Sequence, residues 1–245
     1  MSKKRHSNQS SDKKDDKHIS RYENGQKEIE IPYKDGKING KQKTWWKNGN
    51  KKSEGHFKDG KLDGKDISWY ENGQKEDEIN WKNDKPNGKW IHWYENGKKK
   101  KEVTYKNGKV NGKDTYWDKN GQKIYEFNWK DDLTDGKSFL WYDNGVIKQE
   151  TTWKNHLLDG KSIDRYENGK KQSEGTFKDG KSDGLWTWWY ENGQKSTEVT
   201  YKDGKEDGLN IMWYKNGQKW SERTYKDGEL VEVIGLWNED GSVKE

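Results

Sequence analysis

The side chains that could do chemistry most obviously are glutamates at a fixed interval. Glu30, Glu54, Glu78, Glu102, Glu126, Glu150, Glu174, Glu198 and Glu222 stand 24 residues apart without exception. Two carboxylates about 6.5–9.5 Å apart can invert a glycosidic bond. Equivalent residues two strand spacings apart would lie about 9.6 Å from each other. An acid–base pair, however, needs two environments different enough to drive two pKa values apart, and a column of identical sites offers only one. The column reads instead as a ladder of ion pairs. The expected partners are Lys34, Lys58, Lys82, Lys106, Lys130, Lys154, Lys178, Lys202 and Lys226.

Other chemistry finds no constellation. His6, His18, His56, His92 and His156 are scattered, with no HExxH and no i, i+4 pair to hold a metal. The absence of Cys removes thiolate sites, disulfides and cysteine nucleophiles. No Gly-x-Ser-x-Gly elbow is present. The recurring Lys-Asp-Gly-Lys-x-Asp-Gly loops lack the spacing of calcium loops. Aromatic rings among lysines suggest a stacking platform for single-stranded nucleic acid or sugar, but the repeats are nearly neutral and the rings are needed to cover the sheet. The expectation is no catalytic, metal or cofactor-binding residue, no cofactor, no nucleic acid, and no enzyme.

The elements that position these side chains follow from the repeat itself. Asn24, Asn48, Asn72, Asn96, Asn120, Asn144, Asn168, Asn192 and Asn216, with Asp240, each precede a Gly at the same 24-residue interval. A fixed period of this size marks a repeat array. Asn-Gly between strand formers predicts a hairpin tip with a type I′ turn. Half a period away, segments such as Lys34–Gly40 and Lys178–Gly184 predict a longer hairpin loop. Two strands and two turns per repeat predict an all-β fold. It would be an elongated, single-layer antiparallel meander of about eighteen to twenty strands, on the order of 90 Å long.

Composition agrees with a thin sheet. Only 26% of the 245 residues are hydrophobic and 38% are charged, yet there are 16 Trp and 13 Tyr and no Ala. Large rings, rather than an aliphatic interior, must supply the apolar area. One ring column is Tyr33, Phe57, Trp81, Tyr105, Trp129, Trp153, Phe177, Tyr201 and Tyr225. From Phe57 onward each ring is expected opposite the Gly that opens the preceding strand, covering its bare backbone. A second column is Trp45, Trp69, Trp93, Trp117, Trp141, Trp189 and Trp213, broken by Arg165, on the face that carries the glutamates.

The repeat Tyr166–Trp186, YENGKKQSEGTFKDGKSDGLW, resembles the variant form of the MORN repeat, the bacterial type found in proteins labelled YwqK-type antitoxins. The resemblance implies stacked β-hairpins with a binding or scaffolding role and no catalysis. The antitoxin label implies neutralisation of a partner protein by contact. The other reading is a structural repeat protein at an envelope or membrane surface that binds anionic lipid.

Residues 1–18 carry net charge +3 and read as a disordered basic tail, rather than a polyanion-binding arm. Residues 19–228 form nine repeats, and residues 229–245 read as a capping hairpin. Without an apolar run long enough to span a bilayer or a secretory h-region, the expectation is cytoplasmic, although a chain whose leader had been removed would look the same. Departures from the pattern concentrate between Trp117 and Asp164. Asp84, Asp132 and His156 replace the loop Gly, Ile147 replaces a Lys, and Leu133, Leu157 and Leu158 lie in or beside the loops. Asp132, Leu133, Ile147, His156, Leu157 and Leu158 are therefore the candidate contact surface, against drift in exposed loops.

Overall fold

A computed structural model describes residues 16–244, which form strands and turns with no helix. No helix long and apolar enough to cross a membrane occurs among them. The chain forms two compact units that meet in sequence at Gly97 and Lys98. The first contains β1 (Asp16–Arg21), β2 (Lys27–Lys34), β3 (Lys37–Ile38), β4 (Gly40–Trp45), β5 (Lys51–Lys58), β6 (Lys61–Trp69), β7 (Lys75–Lys82) and β8 (Lys85–Trp93). The second contains β9 (Lys99–Lys106), β10 (Lys109–Trp117), β11 (Lys123–Lys130), β12 (Leu133–Thr134), β13 (Gly136–Trp141), β14 (Ile147–Lys154) and β15 (Leu157–Arg165). It continues with β16 (Lys171–Lys178), β17 (Lys181–Trp189), β18 (Lys195–Lys202), β19 (Lys205–Trp213), β20 (Lys219–Lys226) and β21 (Glu229–Leu236).

Within each unit successive strands pair antiparallel, so each is a meander of hairpins. The predicted register holds: Gly40 faces Phe57, Gly64 faces Trp81, Gly112 faces Trp129 and Gly160 faces Phe177. The two short strands, β3 and β12, are each cut from the next strand by one residue at a bulge, Asn39 and Asp135.

Three expectations are corrected. The basic tail was bounded at residue 18, but Asp16, Lys17 and His18 belong to β1 and pair with Tyr33, Pro32 and Ile31; its remainder, residues 1–15, lies outside the described residues.

The two turn types are exchanged. At the Asn-Gly tips only the Gly has positive φ, +83° at Gly25. Tyr22 O accepts from Gly25 N at 2.9 Å and Tyr22 N donates to Gln26 O at 2.9 Å, which is a type I turn closed by a left-handed Gly. The type I′ turn sits in the Lys-Asp-Gly-Lys loop, where Asp35 and Gly36 have φ of 51° and 74° and Lys34 pairs with Lys37. The local competitor was the Asn side chain: Asn24 Oδ1 accepts from Gln26 N at 3.1 Å, which stabilises the type I geometry.

The Glu partners also differ. Glu54 binds Lys51 and Lys41, both at 2.9 Å, and Glu126 binds Lys123 at 2.8 Å and Lys113 at 2.6 Å. Residues three apart on a regular strand point to opposite faces. Here the register slips by one residue beside each tip, between Tyr116 and Trp117 opposite β11 for instance, so Ile124 is extra and Lys123 shares a face with Glu126. A bulge is the device that changes this parity.

The stretch expected as a capping hairpin forms β21, then a tip in which Gly241 N donates to Asn238 O at 2.9 Å, and a bridge between Trp237 and Val243. Leu230, Val231, Val233 and Ile234 of β21 are exposed.

Candidate interaction site

The sheet is bound together by bonds that run from repeat to repeat. The second aromatic of each tip reaches forward 23 residues: Tyr22, Tyr70, Tyr142, Tyr166 and Tyr190 each donate a hydroxyl to the carbonyl of Trp45, Trp93, Arg165, Trp189 and Trp213 at 2.7 Å. Trp46 does the same with its indole N–H, to Trp69 O at 3.0 Å. The tip Asn adds a second tie, for example Asn48 Nδ2 to Glu71 O at 3.0 Å and Asn216 Nδ2 to Glu239 O at 2.7 Å. Sequence reasoning missed the Tyr column, because the second ring of a Trp-Tyr pair reads equally well as strand continuation. At position 118 the column holds Asp, whose Oδ1 accepts from the backbone N of Asn120 and Gln122 in its own loop, each at 2.8 Å.

On the Glu face a lysine lies between carboxylate and tryptophan in most repeats. Lys75 contacts Glu78 at 2.7 Å and sits 5.5 Å from the Trp93 ring centre; Lys123 sits 5.2 Å from that of Trp141. Cation–π contacts at such exposed sites contribute about 0.5–1 kcal/mol each. Hydrogen bonds from Lys17 and Lys27 hold the Glu30 carboxyl at about 2, and those from Lys51 and Lys41 do the same for Glu54. Where Arg165 interrupts the Trp column, the lysine that would lie over it is Ile147. The two departures match, since Ile in place of Lys avoids setting two cations together.

The candidate contact residues separate into two places. Asp132, Leu133, His156 and Leu157 lie on neighbouring loops, tied by His156 N to Thr134 O at 2.9 Å. Ile147 lies at the opposite end of β14, whereas Leu158, next to Leu157 in sequence, is half-buried and paired with Trp153.

The substitutions that replace the loop Gly have intramolecular roles. Asp84, Asp132 and His156 take φ of 60°, 70° and 70°, a region costly for a side chain. Each turns the side chain back to a backbone N–H of the preceding repeat: Leu62 N to Asp84 Oδ1 at 2.7 Å, Val110 N to Asp132 Oδ1 at 2.7 Å, Thr134 N to His156 Nδ1 at 3.4 Å. The leucines have no such role. Leu133 and Leu157 are 42% and 51% exposed at positions where Lys61, Lys85, Lys109, Lys181 and Lys205 stand in other repeats. A second pair, Leu185 and Leu209, is likewise exposed, at positions that hold Lys113, Lys137 and Lys161 elsewhere; a break in the Lys column would have revealed it.

No curated protein matches the chain. The solved structure described as "Crystal Structure of TcdB2-TccC3" shares 13% identity and a TM-score of 0.24, over 89% of this chain and 13% of that one, so the chain spans a small part of that protein's length. The family model described as "MORN repeat variant" matches residues 17–35, 38–59, 62–83, 86–107, 134–155, 158–179, 182–203 and 206–227. The matched segments take in most of the chain and keep step with the hairpins, and the unmatched stretch between them contains the departure at Asp118. By its repeats and by the hairpins they build, the chain belongs to the MORN-repeat-variant family.

Proposed function

We propose that the protein is a non-enzymatic scaffold that binds a partner protein, and that the partner is one it neutralises, as an antitoxin or immunity component does. The observation that carries this reading is the pair of exposed leucines, Leu133 and Leu157, on adjacent loops where other repeats hold lysine. Removing charge while adding exposed apolar area on neighbouring loops lowers the cost of covering them with another protein. The remaining polar columns are committed internally: the Glu carboxylates to Lys, the tip Tyr and Asn to the next repeat. That commitment also weighs against the anionic-lipid alternative, since many of the lysines are already paired. The lipid reading requires liposome flotation that weakens with salt.

The test is affinity capture from the source cell with the full chain and with Leu133→Lys/Leu157→Lys. A retained protein that the double variant loses, and whose toxicity on expression is relieved by the wild-type chain, is the expected result. Equal retention by both chains would remove the leucine surface. A retained partner with no toxic activity would remove the antitoxin role and keep the scaffold.

A further inference from the structure

We propose that the second unit binds a saccharide ring in a pocket lined by Asp114, Tyr125, Phe127, Trp129, Trp153 and His156. This goes beyond the scaffold reading and concerns a different surface from the exposed leucines. The pocket is an open depression of about 380 Å³, with Thr134 completing its wall, a volume within the range of about 300–1,000 Å³ typical of small-molecule sites. Its walls come from three repeats. Alternation along β11 puts Tyr125, Phe127 and Trp129 on one face, Asp114 comes from β10, and Trp153 and His156 come from β14 and the loop after it.

The internal hydrogen bonds define what the pocket still lacks. Trp153 Nε1 donates to Thr151 Oγ1 at 2.9 Å, and His156 Nδ1 lies 3.1 Å from Thr134 Oγ1. The rings of Trp129 and Trp153 stand 6.4 and 6.5 Å from the His156 ring. Those side chains are held by the protein. Two polar atoms are not: Asp114 Oδ1 and Trp129 Nε1 are buried with no hydrogen-bond partner among the described residues. Asp114 is only 8% exposed. Orphaned buried groups are uncommon in folded proteins and mark places where something else completes the bonding.

One orphan is an acceptor and the other a donor. A hydroxyl group satisfies both kinds, and a sugar ring carries several hydroxyls beside a C–H face that lies flat on indole. The usual alternative for an aromatic pocket with a carboxylate is an organic ammonium ion. That ligand fits less well here. Lys101 Nζ already stands 3.5 Å from Asp114 Oδ2, so a second cation would be repelled, and an ammonium group would leave the Trp129 N–H without an acceptor. Burial pushes the Asp114 carboxyl upward, with Lys101 acting against it.

The test is saturation-transfer NMR on the full chain with glucose, galactose, mannose and N-acetylglucosamine at millimolar concentration, with choline and adenosine as comparison ligands. At least one sugar is expected to bind. Trp129→Phe, which keeps the ring and removes the N–H, and Asp114→Leu, which removes the acceptor, should each weaken that binding about tenfold, the scale of one lost buried hydrogen bond. Trp81→Phe, the equivalent change in the first unit, should leave it unchanged. If Asp114→Leu does not fold by circular dichroism, Trp129→Phe decides the question. Binding by none of the sugars, Asp114-dependent binding of choline or adenosine in their place, or sugar binding indifferent to Trp129→Phe would each overturn the proposal.

Discussion

At Glu54, two lysines meet one carboxylate that is largely buried while their own stems stay half in water. A buried carboxylate gripped by two ammonium groups is held in its charged form, and this sets how the protein answers to acid. Glu30 and Glu54 ionise at about 2 in the folded chain, against an ordinary value of 4.5. Their folded values lie below the unfolded ones, so their contribution is whole above pH 4.5 and is lost as pH falls through about 2. Urea midpoints measured from pH 6 to pH 2 should therefore hold steady at first and then decline below pH 4.5. In Glu54→Gln the decline should be shallower; an identical decline would show that this ladder does not govern acid sensitivity. Burial pushes the Tyr166 hydroxyl upward, so its latch does not titrate in that range. Tyr166→Phe removes only the hydroxyl that reaches Trp189 O and should cost about 0.5–1.5 kcal/mol in a urea titration.

At the scale of the strand pair, neighbours compensate one another's size. Gly175 sits beneath Trp186, and a Cβ there would lie 2.1 Å from the indole. In other repeats the position of Trp186 holds Ser138 or Ser162. Gly175→Val should destabilise by about 1–3 kcal/mol through overpacking, and adding Trp186→Ser should recover most of that loss; a double variant no better than the single would contradict this packing. The loops make a second case. Asp132 combines positive φ with a side-chain bond to Val110 N, so Asp132→Gly exchanges a bond for relief of strain. Asp132→Ala gains nothing and should melt lower than Asp132→Gly.

These elements also show what a one-dimensional reading reaches. Hairpins, the 24-residue step and the Gly–aromatic register were legible because they depend on residue type and even-numbered alternation. Lys123 as a partner of Glu126 was not, because one extra residue at Ile124 reverses the parity on which the alternation argument rests. His156 and Asp132 looked like surface variation because the backbone N–H groups that donate to their side chains come within reach only after the neighbouring repeat is in place. The pocket around Asp114 was out of reach for the same reason, being assembled from β10, β11 and β14.

For the chain as a whole, the repeat length is a constraint on every side chain at once. Deleting one full period, residues 167–190, joins tip to tip and preserves which face each residue meets. Deleting 167–189 leaves the following strands one residue out of step, and a slip of one residue exchanges buried and exposed faces. Circular dichroism should show native β content for the 24-residue deletion and loss of cooperative melting for the 23-residue one. Similar melting of both would mean that the faces are not distinguished.

The ties along the two margins of each unit point in opposite senses. Hairpin tips donate forward, Tyr166 to Trp189 O, whereas loops donate backward, Gly180 N to Leu158 O. A repeat that peels away therefore abandons donors behind it at one margin and ahead of it at the other. Opposed ratchets of this kind give unzipping no preferred direction, so amide exchange should slow from both flanks of a unit toward its middle rather than along a single gradient.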